Sequence, residues 1–332
     1  MEGASAKVTV VGIDEAGYGP LLGPLVVSAV VFRAPADVVD ADWWALAREA
    51  IALKPKSHEP RLVVTDSKEL SRRDEGLRLL ERAALTFLSV PDGRGNDRRY
   101  PPTFAGLLGQ LNQTVLGDLK IYPWYANADH PLPIANGAAD ILTQRSAVGG
   151  ALRRAGIEFV AAHVEALPEG HFNRLVGATR NKAVVLLGQT IRLIQRSAET
   201  TAGSNMTVFV DKQGARNAYG RPLMTSFDDA HLEILEEGHT RSSYRLVRRP
   251  GPWTVRFLQN GEKQHLPIAL ASIFSKYVRE LFMHAFNRYW AEHVPGVART
   301  AGYYTDAKRF IREIEPAARR LQIDRHLLVR AR

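Results

Sequence analysis

The chain has 332 residues, 45% of them hydrophobic and 24% charged, a balance that excludes a disordered or fibrous protein. Its 44 Lys and Arg against 35 Asp and Glu leave a formal net charge of +9. That surplus suits polyanionic partners such as nucleic acid, and it equally describes a surface of solvated arginines. There is no Cys, so disulfides, thiolate nucleophiles and thiolate zinc sites are excluded, as expected of a cytoplasmic protein. The longest apolar stretch, residues 21–32, contains Gly and Pro and is too short to span a bilayer. Met1 to Ser5 lack the basic flank and apolar core of a signal peptide.

Taken in order, residues 8–13 are rich in β-branched side chains and do not alternate, which predicts a strand buried on both faces. It ends in two adjacent acids, Asp14 and Glu15. A Gly- and Pro-rich loop follows, then a second apolar strand over residues 25–32. About ten residues separate the two strand cores, too few for a crossover helix, so the pair is expected to be antiparallel. Residues 41–53 carry an apolar stripe of helical period. A short apolar run at 62–64 leads to Ser71, a candidate N-cap for a helix to about Leu88, with Asp74 and Glu75 in its first turn.

The composition changes over about 91–133, read as an insertion: a loop at 91–102, a helix over 104–119, then an irregular segment. Further helices are expected at 137–156 and 172–197, with a strand at 157–164 between them. Residues 206–211 form a third apolar strand ending in an acid, Asp211. Alternating runs at 243–247 and 253–258 flank Arg249-Pro250-Gly251-Pro252 and signal a hairpin, within an Arg-rich inserted segment of about 228–260. A helix from Pro267 to about Trp290 has Pro in its first turn. The chain reads as one domain over 1–332, closing with a helical region of about 291–332.

Strands that end in acid fit an α/β architecture with its site at the strand ends. Side chains alternate along a strand, so Asp14 and Glu15 are expected to share a site only if the strand breaks between them. On the helix from Pro267, Ser272, Lys276 and Glu280 fall on one face, where Lys276–Glu280 also suits a local ion pair. Oxygen ligands without Cys or a His-Glu-x-x-His motif point to a hard cation, Mg²⁺ or Mn²⁺. A pair of such ions about 4 Å apart is a standard device for phosphodiester hydrolysis. Gly17, Gly19 and Gly23 have the wrong spacing for a dinucleotide loop and lead into a strand.

Five stretches, in order, resemble the motifs of type 2 ribonucleases H, the ribonuclease HII and HIII enzymes. These are Gly12-Ile13-Asp14-Glu15-Ala16-Gly17-Tyr18-Gly19-Pro20, Thr65-Asp66-Ser67-Lys68-Glu69-Leu70, Val208-Phe209-Val210-Asp211, Ala271-Ser272-Ile273-Phe274-Ser275-Lys276-Tyr277-Val278-Arg279-Glu280 and Gly302-Tyr303-Tyr304-Thr305. The resemblance implies a ribonuclease H-like fold, a mixed five-stranded sheet flanked by helices. It implies an acidic tetrad, carried over as Asp14, Glu15, Asp211 and Glu280, that holds two Mg²⁺ or Mn²⁺ ions. It implies hydrolysis of the RNA strand of RNA–DNA hybrids, or cutting at ribonucleotides embedded in DNA, with 3′-hydroxyl and 5′-phosphate products. The nucleic-acid contacts it implies are Gly17, Tyr18 and Gly19, reading the 2′-hydroxyl, with Ser67, Lys68, Lys276 and Tyr303. No protein partner is expected. The chain has Tyr18 where the family has a basic residue and Glu280 where it has Asp. An inactive nucleic-acid-binding protein and a nuclease for a DNA substrate are the alternatives.

Overall fold

Strand β1, Lys7–Ala16, is an inner strand of the main sheet. The computed structural model describes residues 7–331 except 55, 57, 58, 74, 203 and 204. Strand β2, Leu25–Pro35, runs antiparallel to β1 in an unbroken register from Lys7↔Pro35 to Ala16↔Val26. Val10 faces one apolar core and Val11 the other, both fully buried, which is why the strand reads as continuously apolar. After β2 come helix α1 (Trp43–Leu46), a short parallel pair β3 (Ile51–Ala52) and β4 (Leu62–Val63), then α2 (Ser67–Ser71) and α3 (Gly76–Ser89). Next come α4 (Phe104–Leu111), α5 (Val115–Asp118), α6 (Ala138–Arg154), β5 (Glu158–Leu167), α7 (Glu169–Thr179), α8 (Lys182–Thr200) and β6 (Met206–Asp211). The rest is α9 (Gly220–Ser226), β7 (His231–Glu237), β8 (Arg241–Val247), β9 (Trp253–Leu258), α10 (Leu266–His293), α11 (Tyr304–Arg320) and α12 (Arg325–Leu328).

The strands form one mixed sheet in the order β5-β2-β1-β6-β9-β8-β7. Its first five are the mixed five-stranded sheet that the ribonuclease H-like fold implies; β8 and β7 add two more. β6 is parallel to β1 and β9 is parallel to β6. β8 and β9 are antiparallel, as the hairpin signal requires. The hairpin also supplies a strand that pairs with β6. β9 belongs to the five-stranded part, because Val255 and Phe257 are fully buried in the core beneath it.

Helix α10 covers one face of the sheet and controls where the site forms. Its first turn lies directly on β1 at Gly12, where an added Cβ would sit 2.1 Å from the Pro267 carbonyl carbon. Only a residue without a side chain admits that approach. Ser275 Oγ donates to the Asp14 carbonyl at 2.9 Å and bonds Ser28 Oγ at 2.8 Å, which fixes the helix to both strands. Among the described residues, no helix is long and apolar enough to cross a membrane.

Several elements differ from the sequence expectation, each for a local reason. The helix expected over 41–53 is one turn, because the chain leaves it to pair Ile51 with Leu62. Asp66, not Ser71, accepts an amide at a helix start, from Lys68 at 2.9 Å, and the chain turns before α3 begins at Gly76. Asp74 lies outside the described residues. Residues 104–119 split at Asn112, whose side chain bonds the Val164 carbonyl and Thr114 instead. The long helix over 172–197 is two, α7 and α8, broken by Arg180 in the left-handed region (φ 52°) and restarted by Asn181 as N-cap.

Candidate metal centre

The parallel ladder of β1 and β6 ends at Ile13↔Val210. The next residues, Asp14 and Asp211, therefore come side by side at one edge of the sheet. β1 does not break between Asp14 and Glu15; its ladder with β2 continues through Ala16. The two acids are brought together differently: the Glu15 amide donates to Asp14 Oδ1 at 2.7 Å and folds that carboxylate back along the strand. Gly17 then turns the chain at φ +83°, where a Cβ would meet the Pro24 carbonyl at 2.6 Å.

A fourth carboxylate joins them from the turn between β9 and α10. The Gly261 amide donates to Asp211 Oδ1 at 2.8 Å, which holds this turn against the end of β6. Glu262 follows, its side chain buried and near enough to Asp211 for its charge to raise that carboxyl. Its charge acts on Asp14, Glu15 and Asp211 alike. The sequence reading missed it. An acid at a strand end was the signal that found Asp14 and Asp211, and Glu262 carries a weaker form of it, four residues past Leu258 in the turn that follows β9.

The electrostatics follow from crowding like charges in a poorly hydrated place. Burial, then Glu15, pushes the Asp14 carboxyl well above its ordinary value, against a hydrogen bond from Ser272. Burial, then Asp211, pushes Glu15 up to about 7, with Lys68 opposing. Burial, then Asp14, pushes Asp211 up to about 8. Lys68 is held above its ordinary value by Asp66, Asp14, Glu15 and Glu262, in that order, although burial works the other way. Among the described residues, no three His, Asp or Glu side chains already close around a single point as a metal cage. The donor chemistry nonetheless fits a hard divalent cation: four carboxylates, no sulfur, no imidazole and one lysine.

The other residues singled out in the sequence fall into two groups. Ser67 Oγ bonds Ser272 Oγ at 2.9 Å, which joins α2 to α10 beside Asp14. Tyr18 is half-buried beside the acids, burial and then Glu15 raising its phenol, and Lys182 Nζ lies 5.9 Å from its ring centroid. Gly19 has no protein atom within 4 Å of where a Cβ would point, so its backbone is open to close approach. The Gly302 carbonyl accepts the Leu21 amide at 2.9 Å and the Leu22 amide at 3.3 Å. That places half-exposed Tyr303 next to the loop over residues 17–24. The structure does not bring Glu280 to the cluster. Its carboxylate binds Lys276 Nζ at 2.7 Å, and it is not among the principal charges acting on the three raised acids. Eight residues of helix separate it from Ser272, about 12 Å at the helical rise. Lys276 is turned the same way, 5.9 Å from the Tyr303 ring centroid.

No family model matches the sequence, and no curated protein matches it. Among solved structures, the chain is similar to a ribonuclease HII from Archaeoglobus fulgidus, seen in complex with PCNA, at 15% identity over 98% of this chain and 95% of that one, with a TM-score of 0.43. It is similar to a ribonuclease HIII, Bst-RNase HIII, in complex with Mn²⁺, at 18% identity over 93% of this chain and 63% of that one, TM-score 0.42. It is also similar to ribonuclease H2 from Pyrococcus horikoshii OT3, at 12% identity over 97% and 92% of the two chains, TM-score 0.41.

Proposed function

We propose that the chain is a divalent-metal-dependent endoribonuclease. In this reading it hydrolyses the RNA strand of RNA–DNA hybrids or cuts at ribonucleotides embedded in duplex DNA, leaving 3′-hydroxyl and 5′-phosphate ends. One observation carries the reading: Asp14, Glu15, Asp211 and Glu262 converge at one sheet edge, next to a glycine loop whose backbone is open at Gly19. These four carboxylates, rather than a set containing Glu280, are the proposed holders of Mg²⁺ or Mn²⁺. When bound, such ions supply Lewis acidity and acidify water for in-line phosphodiester displacement.

The chain's own residues do the rest. The four acids exclude competing anions until cations neutralise them. Lys68 stays cationic beside them and offers a contact to a scissile phosphate. Gly17 provides the turn, and Gly19 lets the backbone reach a ribose, whose 2′-hydroxyl distinguishes RNA from DNA. Tyr303 and Tyr18 flank the loop with aromatic faces suited to stacking on a nucleotide. The formal charge of +9 favours the encounter with a polyanion.

The test is cleavage of three duplexes in Mg²⁺ and in Mn²⁺: a long hybrid, DNA with a single ribonucleotide, and all-DNA. Wild type should cut one or both of the first two and spare the third. Asp14→Asn should abolish cutting. A protein that shifts the duplexes without cutting them, or an Asp14→Asn variant as active as wild type, sinks the proposal.

A further inference from the structure

Arg330 comes from the segment after α12, more than three hundred residues from the loop it touches. Its side chain is 3% exposed. Its guanidinium donates to the Gly17 carbonyl, and at 3.1 Å to the Tyr18 carbonyl. Its amide donates to the Leu21 carbonyl at 2.9 Å. The guanidinium also lies over the Phe172 ring, 3.9 Å from the centroid, where stacking fixes its plane. Asn173 holds the surrounding backbone: its Nδ2 donates to the His326 and Val329 carbonyls at 2.8 Å, and its Oδ1 accepts the Ala331 amide at 2.6 Å. From the other side Arg279, 1% exposed, donates to the Pro24 carbonyl at 2.8 Å and to the Leu22 and Ala301 carbonyls at 3.0 Å. Two buried guanidiniums thus grip one loop by its carbonyls.

In a trans peptide the C=O and N–H of one unit point in opposite directions. Drawing the Gly17 and Tyr18 carbonyls inward turns the Tyr18 and Gly19 amides outward. Neither amide donates to another protein group among the described residues. We propose that Arg330 is a positioning residue: it fixes the loop so that the Tyr18 and Gly19 amides are presented, already oriented, to a ribose hydroxyl or phosphate oxygen of the bound strand. The inference rests on the nuclease reading for its ligand, but not for the grip itself. Orientation fixed in advance costs nothing at binding. Removing it lowers turnover without touching the metal ligands.

The experiment compares wild type with Arg330→Ala, Arg330→Lys and Asn173→Ala. It reads hydrogen exchange at the Leu21, Leu22 and Gly23 amides, which are bonded to the Gly302 carbonyl and the Glu169 carboxylate, Mn²⁺ binding by calorimetry, the thermal midpoint, and kcat and KM on DNA with a single ribonucleotide. Arg330→Ala should speed exchange in the loop and lower kcat/KM by about tenfold to a hundredfold, with Mn²⁺ affinity unchanged. Arg330→Lys, which can still hold one carbonyl, should recover part of both effects. If Arg330→Ala fails to fold, Arg330→Lys and Asn173→Ala carry the same comparison. Wild-type loop exchange and wild-type kcat/KM in these variants would overturn the inference, as would faster exchange spread evenly over the whole chain. Should wild type cut no duplex in either metal, the nuclease reading fails, and loop exchange alone then decides whether Arg330 sets the loop.

Discussion

Glu262 stands in the turn that feeds α10, and Glu280 lies well along that helix. The first acts on Asp211 and the second pairs with Lys276. Their substitutions should therefore separate cleanly. Glu262→Gln should lower Mn²⁺-dependent cleavage by more than about a hundredfold, beyond what loss of an outer-shell partner costs. Glu280→Gln should leave cleavage near wild type and shift stability by roughly a few tenths of a kcal/mol, the worth of one i,i+4 pair. Steady-state cleavage and urea unfolding of both variants check this, and the opposite ranking would restore Glu280 to the cluster. Asp14 and Asp211 were legible in the sequence because each ends an apolar strand, and the structure sets both at one edge. Glu262 was not legible, because its strand had been set apart with the Arg-rich segment. Glu280 holds the place of an acid in a sequence motif, and its carboxylate pairs locally with Lys276.

At the scale of elements, the strands were read more securely than the helices. A strand buried on both faces announces itself by composition alone, as β1, β2 and β6 do. Helix ends depend on where the chain finds better partners, and those partners are distant in sequence. Asn112 finds Val164 and Ile51 finds Leu62. β7 went unread for a related reason. It is an edge strand with Ile234 and Leu235 exposed, so no core demanded an apolar pattern of it. The contact that matters most between elements is α10 on β1 at Gly12. Gly12→Ala would place a Cβ 2.3 Å from the Pro267 carbonyl oxygen, backbone that cannot step aside. It should cost roughly 1–3 kcal/mol or more, seen as a lower urea midpoint. Because the same helix carries Ser272 and Ser275 to Asp14, activity should fall further than stability does. An unchanged midpoint would mean that α10 is free to retreat.

At the scale of the whole molecule, two buried histidines tie stability to pH. His163 on β5 bonds the Thr200 hydroxyl at 2.9 Å, and burial, then Arg196, pushes its imidazole down to about 4. His130 packs against Phe104, and burial, then His284 and Arg288, pushes it to about 4 as well, with Asp129 opposing. The unfolded chain takes protons on both below about pH 6.5 while the folded chain refuses them until about 4. Their contribution is therefore fully present above pH 6.5 and is lost as pH falls toward 4. The slope is at most roughly 1.4 kcal/mol per histidine for each pH unit. Protonation of Asp14, Glu15 and Asp211, whose carboxyls are raised in the folded chain, acts in the opposite sense over the same range, so the check is a difference: the stability of wild type minus that of His163→Gln, by urea unfolding, should fall between pH 7 and pH 4.5, and an unchanged difference would leave His163 no part in the pH dependence.

The grip of Arg330 on Gly17 and Tyr18 also has a consequence in time. Translation makes the acids of β1 more than three hundred residues before Arg330. A chain still on the ribosome can pair β1 with β2, yet its loop has no partner to hold it until position 330 has left the exit tunnel. Asp14 and Glu15 are thus made well before the residue that holds the loop beside them. A messenger broken before that codon would yield a chain with all four acids and a slack loop.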